Sequence, residues 1–304
     1  MVIIKKLKGY LELLRLHNVL LSYIAVMIGI LATYSYVFNS KPSITGLGDI
    51  AKLTLILGLP VLFVSAAGYV INDYFDIEID KINKPHRPLP SGKVSPLEAY
   101  RLSIALFVVG IALSTWIGIV VLMFTVINAV LIYIYSYRLK RLGLIGNFVV
   151  ALCSSNTILF GSLALIESYN LNFIALLPSL PLAIVAFLLV LAREFVKGIE
   201  DYFGDKEHGV RTLAVVVGIK KAVIITLITI VILICISWIP LILNASIFYL
   251  PLAIIVDILS IYSVIILMRT NEVRLIISKA SRSRRILKIA FAIGILAFII
   301  GYLL

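Results

Sequence analysis

Long apolar runs alternate with short polar stretches from residue 16 to the end of the chain. Each run has about 20 residues, which is enough for a helix to cross a bilayer. The runs are continuous rather than alternating, and backbone polar groups must be bonded internally in lipid, so they indicate helices and not barrel strands. The predicted spans are 16–37, 52–75, 97–116, 118–137, 145–166, 173–197, 214–240, 247–269 and 285–304. The pattern predicts an all-α polytopic bundle of nine transmembrane helices.

Composition agrees with a membrane protein, because 62% of the residues are hydrophobic and 14% are charged. No long linker or low-complexity segment interrupts the runs, so residues 1–304 are expected to form a single transmembrane domain. The first apolar run follows a basic start and lacks a small-residue cleavage pattern, so it is expected to be the first span and not a removable signal.

The distribution of Lys and Arg predicts the orientation. These residues precede the first span and fill the connections after the even-numbered spans, whereas the other side is nearly bare. By the positive-inside rule, we expect a multi-pass protein of the cell membrane with a cytoplasmic N-terminus and an external C-terminus. The same distribution explains the net charge of +12, so a nucleic-acid partner is not expected.

A first acidic motif, Asn72-Asp73-Tyr-Phe-Asp76-Ile-Glu-Ile-Asp80, ends the second predicted span. At the helical repeat, its side chains Asn72, Asp73, Asp76 and Asp80 fall within about 100° of one another. Crowded carboxylates favour a bound cation, and oxygen ligands suit a hard divalent ion such as Mg²⁺. The three prolines of the following loop, 83–92, stiffen it, which fits either a rigid cap over the motif or a tight turn between the second and third spans, and the cap is favoured.

A second acidic motif ends the sixth predicted span and is expected on the same, cytoplasmic side. Its Asp201-Tyr-Phe-Gly-Asp205 echoes Asp73-Tyr-Phe-Asp76, which suggests two half-bundles whose motifs face one central cavity. Glu200 is expected to point elsewhere, and Gly204 is expected to weaken the helix before Asp205. A solvated helix end with paired charges explains one such cluster equally well, but two on one side favour metal binding. The acids predicted to share a face, with a lysine beside them, are Glu194, Asp201, Asp205 and Lys197.

Several other polar residues fit two interpretations each. Lys140 and Arg141, like Arg15 and Asn18 at the entry to the first span, fit either an anion contact or a topology signal. Asp257, deep in the eighth span, fits either a structural hydrogen bond or a role in a pocket. The residues that fit either a polar interior or helix-to-helix hydrogen bonds are Asn128, Asn147, Ser154, Ser155 and Asn156.

Two facing acidic clusters with basic residues between them suit a diphosphate bridged by Mg²⁺. At the mouth of an apolar bundle, such a site favours a polyprenyl diphosphate, whose tail gains about 0.8 kcal/mol for each buried CH₂. The sequence lacks the H-E-x-x-H, G-x-S-x-G and Walker patterns of zinc proteases, serine hydrolases and P-loop enzymes. A cation transporter would place its acids near the bilayer midplane, whereas these clusters lie at span ends. The D-G-x-x-A-R signature of CDP-alcohol phosphatidyltransferases is also absent.

Four motifs resemble those of the UbiA superfamily of intramembrane prenyltransferases, and the resemblance covers nearly the whole chain. They are Asn72-Asp73-x-x-Asp76-x-x-x-Asp80, Arg87-Pro-Leu-Pro-Ser-Gly92, Tyr137-x-x-Lys140-Arg141 and Asp201-x-x-x-Asp205. The resemblance implies that Mg²⁺ is the cofactor, with one ion held by Asn72, Asp76 and Asp80 and the other by Asp201 and Asp205. It implies catalytic roles for Asp76, Asp80, Asp201 and Asp205, and diphosphate contacts from Arg87, Lys140 and Lys197, to which Arg15 and Asn18 are added as candidates.

The acceptor follows from the segment 193–213, which is most similar to archaeal digeranylgeranylglyceryl phosphate synthases. This resemblance implies transfer of a geranylgeranyl group from geranylgeranyl diphosphate to the free hydroxyl of geranylgeranylglyceryl phosphate, a lipid glycerol phosphate. Prenylation of an aromatic acceptor similar to 4-hydroxybenzoate is the alternative. The chain departs from those synthases at Gly198, where they usually carry an acid. How the second metal is completed therefore stays open, with Glu194 as the candidate to compensate.

Overall fold

The computed structural model describes residues 2–38, 44–270 and 272–304, and within these ranges the chain forms helices and turns without a strand. The α-helices are α1 (Val2–Leu14), α2 (Leu16–Val37), α3 (Ile44–Leu57), α4 (Leu59–Phe75), α5 (Ile77–Asn83), α6 (Pro96–Ser114), α7 (Ile119–Tyr137), α8 (Leu144–Ser168), α9 (Ser179–Glu200), α10 (Tyr202–Glu207), α11 (Leu213–Val217), α12 (Ile219–Ser237), α13 (Ile239–Ile242), α14 (Tyr249–Met268) and α15 (Val273–Leu303). Short 3₁₀-helices cover Leu139–Leu142 and Phe173–Leu176.

The prediction of a nine-span bundle is confirmed in a modified form. In the described ranges, eight helices are long and apolar enough to cross a membrane, and the pair Gly48–Leu57 and Leu59–Phe75 makes a ninth crossing if it is counted as one span. The two helices of that pair are bent by 51°. The chain is therefore a multi-pass membrane protein whose second span is broken.

The bend in the second span occurs at Gly58. A Cβ atom at this position would lie 2.6 Å from Cε2 of Tyr23 and 2.7 Å from the carbonyl oxygen of Thr54. Pro60 stands in the first turn of α4, where no backbone donor is needed. The glycine thus lets the bend pack directly against α2.

Two predicted spans have different boundaries in the structure. The last helix begins at Val273 and not at residue 285. The Arg, Lys and Ser residues that precede the apolar run are compatible with a helix. The predicted span 214–240 is divided at Gly218, whose φ of +85° favours glycine, and only α12 continues across.

Helix α9 lies at the centre of the bundle and packs against α8, α12 and α15. Its Leu182, Ala192 and Val196 are fully buried, and the main hydrophobic core extends from α2 to α15. Helix α4 packs chiefly against α6, α7 and α2. The central helix α9 leads into the second acidic motif, and α4 leads into the first.

At the end of the bundle opposite the two motifs, Glu167 near the end of α8 binds the start of α7. Its carboxylate oxygens accept hydrogen bonds from the backbone N–H groups of Val120 at 2.9 Å and Val121 at 2.6 Å. These are unpaired donors at the start of α7, where a negative charge is also favoured by the helix dipole. Gly118 leaves room for this carboxylate, because a Cβ atom there would lie 2.3 Å from Cδ of Glu167 and would displace it.

Candidate active site

The sequence predicted one unbroken helix for the first acidic motif, but the structure breaks this helix at Asp76. Helix α4 ends at Phe75 and α5 begins at Ile77, with Asp76 between them at φ −95° and ψ 3°. The hydrogen bonds from Asp76 N–H to the Asn72 carbonyl (3.1 Å) and from Asp80 N–H to the Asp76 carbonyl (2.8 Å) nevertheless continue the helical register. The motif therefore keeps its acids on neighbouring turns while the backbone changes direction at Asp76.

Two arginines compensate the buried acids of this motif. Asp73 and Asp80 are each 4% exposed. Arg15 forms an ion pair with Asp73, and Nη1 of Arg87 lies 3.1 Å from Oδ1 of Asp73 and 2.5 Å from Oδ2 of Asp80. Removing carboxylates from water is costly unless they are paired and hydrogen-bonded, so these arginines are part of what keeps the motif folded inward.

Asp76 has a different set of neighbours. Nδ2 of Asn72 donates to Oδ2 of Asp76 at 3.0 Å, and Nζ of Lys140 donates to Oδ1 at 2.5 Å. Lys140 stands in the 3₁₀-helix Leu139–Leu142 between α7 and α8. Of the two readings for Lys140, the structure thus favours a role at the motif, whereas Arg141 has no ion pair within the described residues.

Arg15 reaches the motif from the break between α1 and α2. It has φ 47° and ψ 53°, in the left-handed region that a non-glycine residue rarely adopts. Its guanidinium lies 5.6 Å from the ring centroid of Tyr69, one turn of α4 before Asp73. Such backbone strain is frequent at functional sites. Asn18, one turn further along α2, is half-buried and does not line the cavity described below.

The second acidic motif repeats the backbone break of the first. Helix α9 ends at Glu200, α10 begins at Tyr202, and Asp201 stands between them with φ −88° and ψ 8°. Asp205 N–H donates to the Asp201 carbonyl at 2.9 Å, so the register again continues. Gly204 lies inside α10, so the expectation that it would interrupt the helix was wrong. Asp76 and Asp201 have the same conformation, but the sequence echo aligns Asp201 with Asp73, so the two helix breaks do not follow the register of that echo.

The acids of the second motif differ in their surroundings. Asp201 is exposed and Asp205 is half-buried. Burial, and then the negative charge of Asp201, raise the pKa of Asp205 above its ordinary value. Glu194 is buried and pairs with Arg193 at 2.9 Å. Glu200, expected to point away from the other acids, pairs with Nε of Arg284 at 2.7 Å.

Gly198 allows a close contact between α9 and the start of α11. A Cβ atom at this position would lie 3.2 Å from Cβ of Thr212, and Thr212 in turn neighbours Asp205. An acidic side chain here would have to displace Thr212. The departure at Gly198 is therefore coupled to the position of the segment that follows the second motif.

That same segment connects the second motif to the loop of Lys140. The backbone N–H of Leu144 donates to the Arg211 carbonyl at 3.1 Å. Gly143 has φ +60°, and a Cβ atom there would lie 2.2 Å from the Arg211 carbonyl carbon. Gly143 thus permits a backbone-to-backbone contact that no larger residue fits.

A cavity of about 310 Å³ opens beside the first motif, between α2, α4, α7 and α8. Arg15, Tyr69, Asn72 and Tyr135 line its motif end. Tyr135 is an electrostatic neighbour of both Asp76 and Glu194, so both motifs lie near this end. Side chains lining the part farther along α4, α7 and α8 include Pro60, Val61, Val64, Phe124, Thr125 and Phe160.

The polar residues predicted to line the interior are divided between two uses. Asn128, Ser154 and Asn156 line the cavity, whereas Asn147 and Ser155 do not. Nδ2 of Asn156 also donates to Oδ1 of Asn128 at 2.8 Å, which joins α8 to α7. Asp257 lies outside this cavity and accepts from Ser237 Oγ at 3.1 Å, so the structure supports its hydrogen-bonding reading.

Sequence reasoning missed Tyr69 and Tyr135 as site residues. Their signal was their position, since each is a polar aromatic residue within a predicted span and close in sequence to a motif residue, Asp73 or Lys140. Among the described residues, no three acidic, His or Cys side chains are already arranged as a metal-binding group. The acids of the first motif, Asp73, Asp76 and Asp80, are paired with basic side chains instead. Their oxygen-only donor set fits Mg²⁺, and the assignment of individual ligands stays a prediction.

Residues 22–279 match the model of the UbiA prenyltransferase family. The chain belongs to that family. It is 40% identical over 297 residues to digeranylgeranylglyceryl phosphate synthase of Saccharolobus solfataricus, an alignment that covers 98% of each chain. The resemblance seen in the motifs is therefore confirmed at the level of the family.

Solved structures of UbiA family proteins share this fold. A structure of digeranylgeranylglyceryl phosphate synthase is 37% identical, has a TM-score of 0.79, and is matched over 98% of this chain and 99% of that one. A UbiA homologue from Archaeoglobus fulgidus bound to GPP and Mg²⁺ has a TM-score of 0.58 at 18% identity, covering 95% of this chain and 99% of that one. The second likeness concerns the fold alone.

Proposed function

We propose that this UbiA family member transfers a geranylgeranyl group from geranylgeranyl diphosphate to the free hydroxyl of geranylgeranylglyceryl phosphate. The products are diphosphate and the second ether bond of an archaeal membrane lipid. The observation that carries the proposal is the convergence of Arg15, Arg87 and Lys140 on the first motif at the mouth of an apolar cavity. Full-length similarity to digeranylgeranylglyceryl phosphate synthases supports the choice of acceptor.

The diphosphate of the donor would be held at the motif end of the cavity. Arg15, Arg87 and Lys140 supply positive charge there, and an arginine can donate two parallel hydrogen bonds to phosphate oxygens. When bound, Mg²⁺ neutralises the diphosphate and makes it a better leaving group. The ligands proposed for one ion are Asn72, Asp76 and Asp80, with Asp73 beside them, and those for the other are Asp201, Asp205 and Glu194.

The prenyl tail would occupy the cavity. Residues 60 to 72 of α4 border it, and at the rise of an α-helix this stretch spans about 18 Å. Apolar walls exclude water from the cationic carbon that develops as the donor ionises. The cavity thus both binds the tail and suppresses hydrolysis of the donor.

The chemical step would be substitution at C1 of the donor. The bond from C1 to the diphosphate oxygen breaks, the acceptor hydroxyl oxygen bonds to C1, and the hydroxyl proton passes to the released diphosphate or to water. Positive side chains fixed around the leaving group stabilise the charge that forms on it, and such prearranged electrostatics are usually the largest catalytic contribution. The pairing of Arg87 with two buried acids supports this role, because it fixes the guanidinium before the substrate arrives.

The orientation in the membrane belongs to the same proposal. The N-terminus and both acidic motifs would face the cytoplasm, the C-terminus would lie outside, and residues 1–304 would act as one domain. The basic side chains around both motifs support this arrangement through the positive-inside rule.

The proposal is tested by Mg²⁺-dependent transfer from radiolabelled geranylgeranyl diphosphate with purified protein. Geranylgeranylglyceryl phosphate and 4-hydroxybenzoate are offered in parallel reactions. Labelled product from the glycerol lipid alone is expected. Product from the aromatic acid alone would move the chain to quinone biosynthesis, and product from neither acceptor would overturn the proposed activity.

A further inference from the structure

A second cavity, of about 360 Å³, lies between α9 and α15 and is strongly basic. The residues from α9 belong to its last two turns. Those from α15 lie just before the predicted span 285–304 or at its start. The lining residues are Arg193, Glu194, Lys197, Ser281, Arg284, Arg285 and Lys288. Five of the seven are cationic and only one is acidic.

The positive charge of this cavity is only partly neutralised by the chain itself. Arg193 pairs with Glu194 at 2.9 Å, and Arg284 pairs with Glu200 at 2.7 Å. The basic lining residues that have no ion pair within the described ranges are Lys197, Arg285 and Lys288. Like charges brought together around one cavity repel, so the arrangement favours a multivalent anion.

Membrane topology does not explain why these charges meet. The positive-inside rule requires basic residues near the span ends but does not require them to face one another. Arg282 stands on the same segment of α15 and, unlike the equally exposed Arg284, Arg285 and Lys288, does not line the cavity. Helices α9 and α15 therefore direct a particular subset of their basic residues toward each other.

The basic cavity adjoins the candidate active site. Lys197 stands one helical turn before Asp201 of the second motif, whose backbone N–H donates to the Lys197 carbonyl at 2.9 Å. A ligand held by the basic cavity would therefore lie next to the place proposed for the diphosphate.

We propose that the basic cavity binds the phosphate monoester of the glycerol-lipid acceptor and so positions its free hydroxyl. A phosphate monoester carries close to two negative charges at neutral pH and has three acceptor oxygens. Arg285 and Lys288 supply charge, Ser281 supplies a hydroxyl donor, and Arg193 can donate in parallel to two phosphate oxygens. The inference rests on the proposed function and assigns the acceptor phosphate to Arg285 and Lys288, beside Glu194 and Lys197, the candidates for the second metal ion and the diphosphate.

The test uses the double variant Arg285→Gln/Lys288→Gln of the full chain in uncharged detergent. We expect the KM for geranylgeranylglyceryl phosphate to rise about 10-fold or more, since two charge-assisted contacts are lost. The KM for geranylgeranyl diphosphate should change less than about 2-fold. Arg282→Gln, which removes one charge outside the cavity, is the matched control and should leave both KM values unchanged.

A second acceptor, geranylgeranylglycerol without its phosphate, separates binding from folding. The wild type and the double variant should use it equally slowly, because the deleted contacts have no phosphate to bind. An equal loss with both acceptors would overturn the proposal, as would an unchanged KM for the phosphorylated acceptor. If the double variant does not fold, the single variant Lys288→Gln is measured in the same way.

The source of the phosphate is resolved by repeating the assay in vesicles with and without anionic phospholipid. A rise in the KM for geranylgeranylglyceryl phosphate that is present in uncharged detergent and does not depend on anionic lipid supports binding of the acceptor phosphate. An effect found only with anionic lipid would mean that the cavity binds bilayer headgroups, and would overturn the assignment. If the wild type does not use geranylgeranylglyceryl phosphate at all, it is the proposed function that fails.

Discussion

Nη1 of Arg87 lies 2.5 Å from Oδ2 of Asp80, so the proline-rich loop is fastened to the motif it follows. Three prolines between residues 83 and 92 restrict the loop, and the ion pair fixes where its arginine points. Asp80 is 4% exposed, so loss of its partner would leave a buried carboxylate unpaired, which costs far more than loss of an ion pair on the surface. The loop thus places a permanent positive charge beside the carboxylates.

Substituting Arg87 by Gln should raise the KM for geranylgeranyl diphosphate by about 10-fold or more, because a charge-assisted contact to the diphosphate is lost. Initial rates at saturating acceptor measure this. Lys81→Gln is the matched control, since Lys81 is an exposed cation of the same segment that pairs only with Glu78 within the described residues. A KM unchanged by Arg87→Gln would remove this residue from the donor site.

Asp76→Asn should reduce the rate of transfer by about 100-fold or more while the bundle stays folded. The substitution preserves size but removes a charged oxygen from the proposed metal ligands, and metal-assisted charge stabilisation is worth several kcal/mol. Transfer rates at saturating Mg²⁺ and thermal unfolding are measured together. Glu78→Gln, an acid two residues away and exposed, should retain wild-type activity. Wild-type turnover by Asp76→Asn would contradict the ligand assignment.

We expect Asp201→Asn in the second motif to reduce the rate of transfer as Asp76→Asn does. Asp201 repeats the helix break of Asp76, and its loss should abolish transfer to a similar extent. The exposed Glu207, at the end of α10, offers the control Glu207→Gln. Retained turnover in Asp201→Asn would show that the second motif is a structural echo without a catalytic role.

Val61→Phe should change the preferred length of the donor. Val61 is 8% exposed and lines the part of the cavity far from Asn72, so a larger ring would shorten the space for the tail. We expect kcat/KM for geranylgeranyl diphosphate to fall relative to that for geranyl diphosphate by about 10-fold, the scale expected from loss of one or two well-packed methylene groups. Val130→Phe adds the same volume on an exposed face of α7 and should not alter the ratio. An unchanged ratio in Val61→Phe would place the tail elsewhere.

Glu167→Gln should lower the stability of the protein by about 1 kcal/mol without changing its substrate preference. The carboxylate pairs with two N–H groups at the start of α7, and a charged cap is worth roughly this amount. Reversible unfolding in detergent measures the loss. Asp49→Asn, at an exposed acid of α3, is the control and should change stability by less than about 0.5 kcal/mol. Equal stability of both variants would show that the cap is not formed in the membrane.

The apolar pattern predicted the bundle well because length and hydropathy decide which segments cross a bilayer. The first predicted span, 16–37, coincides with α2. The break inside the second span was not predicted, since the bend at Gly58 packs against Tyr23 of another helix, and the helix breaks at Asp76 and Asp201 were not predicted either. The early start of α15 at Val273 was missed because charge ends an apolar run without ending a helix.

The site was predicted as a list of residue types more successfully than as a geometry. Helical spacing placed the acids of the first motif near one another, but it could not show that Arg15 and Arg87 would share Asp73. Contacts between residues 58 or 14 positions apart have no local signature. The basic cavity between α9 and α15 was not predicted for the same reason, because its residues come from two distant segments, and of them only Glu194 and Lys197 had a predicted role, at the second metal ion and the diphosphate.

The most direct test of the account measures diphosphate release and lipid product in one reaction of the wild-type protein. We predict equal amounts of diphosphate and digeranylgeranylglyceryl phosphate, formed only when Mg²⁺ and both substrates are present. Diphosphate released without an ether product, or product formed at the same rate after Mg²⁺ is removed by a chelator, would contradict the account.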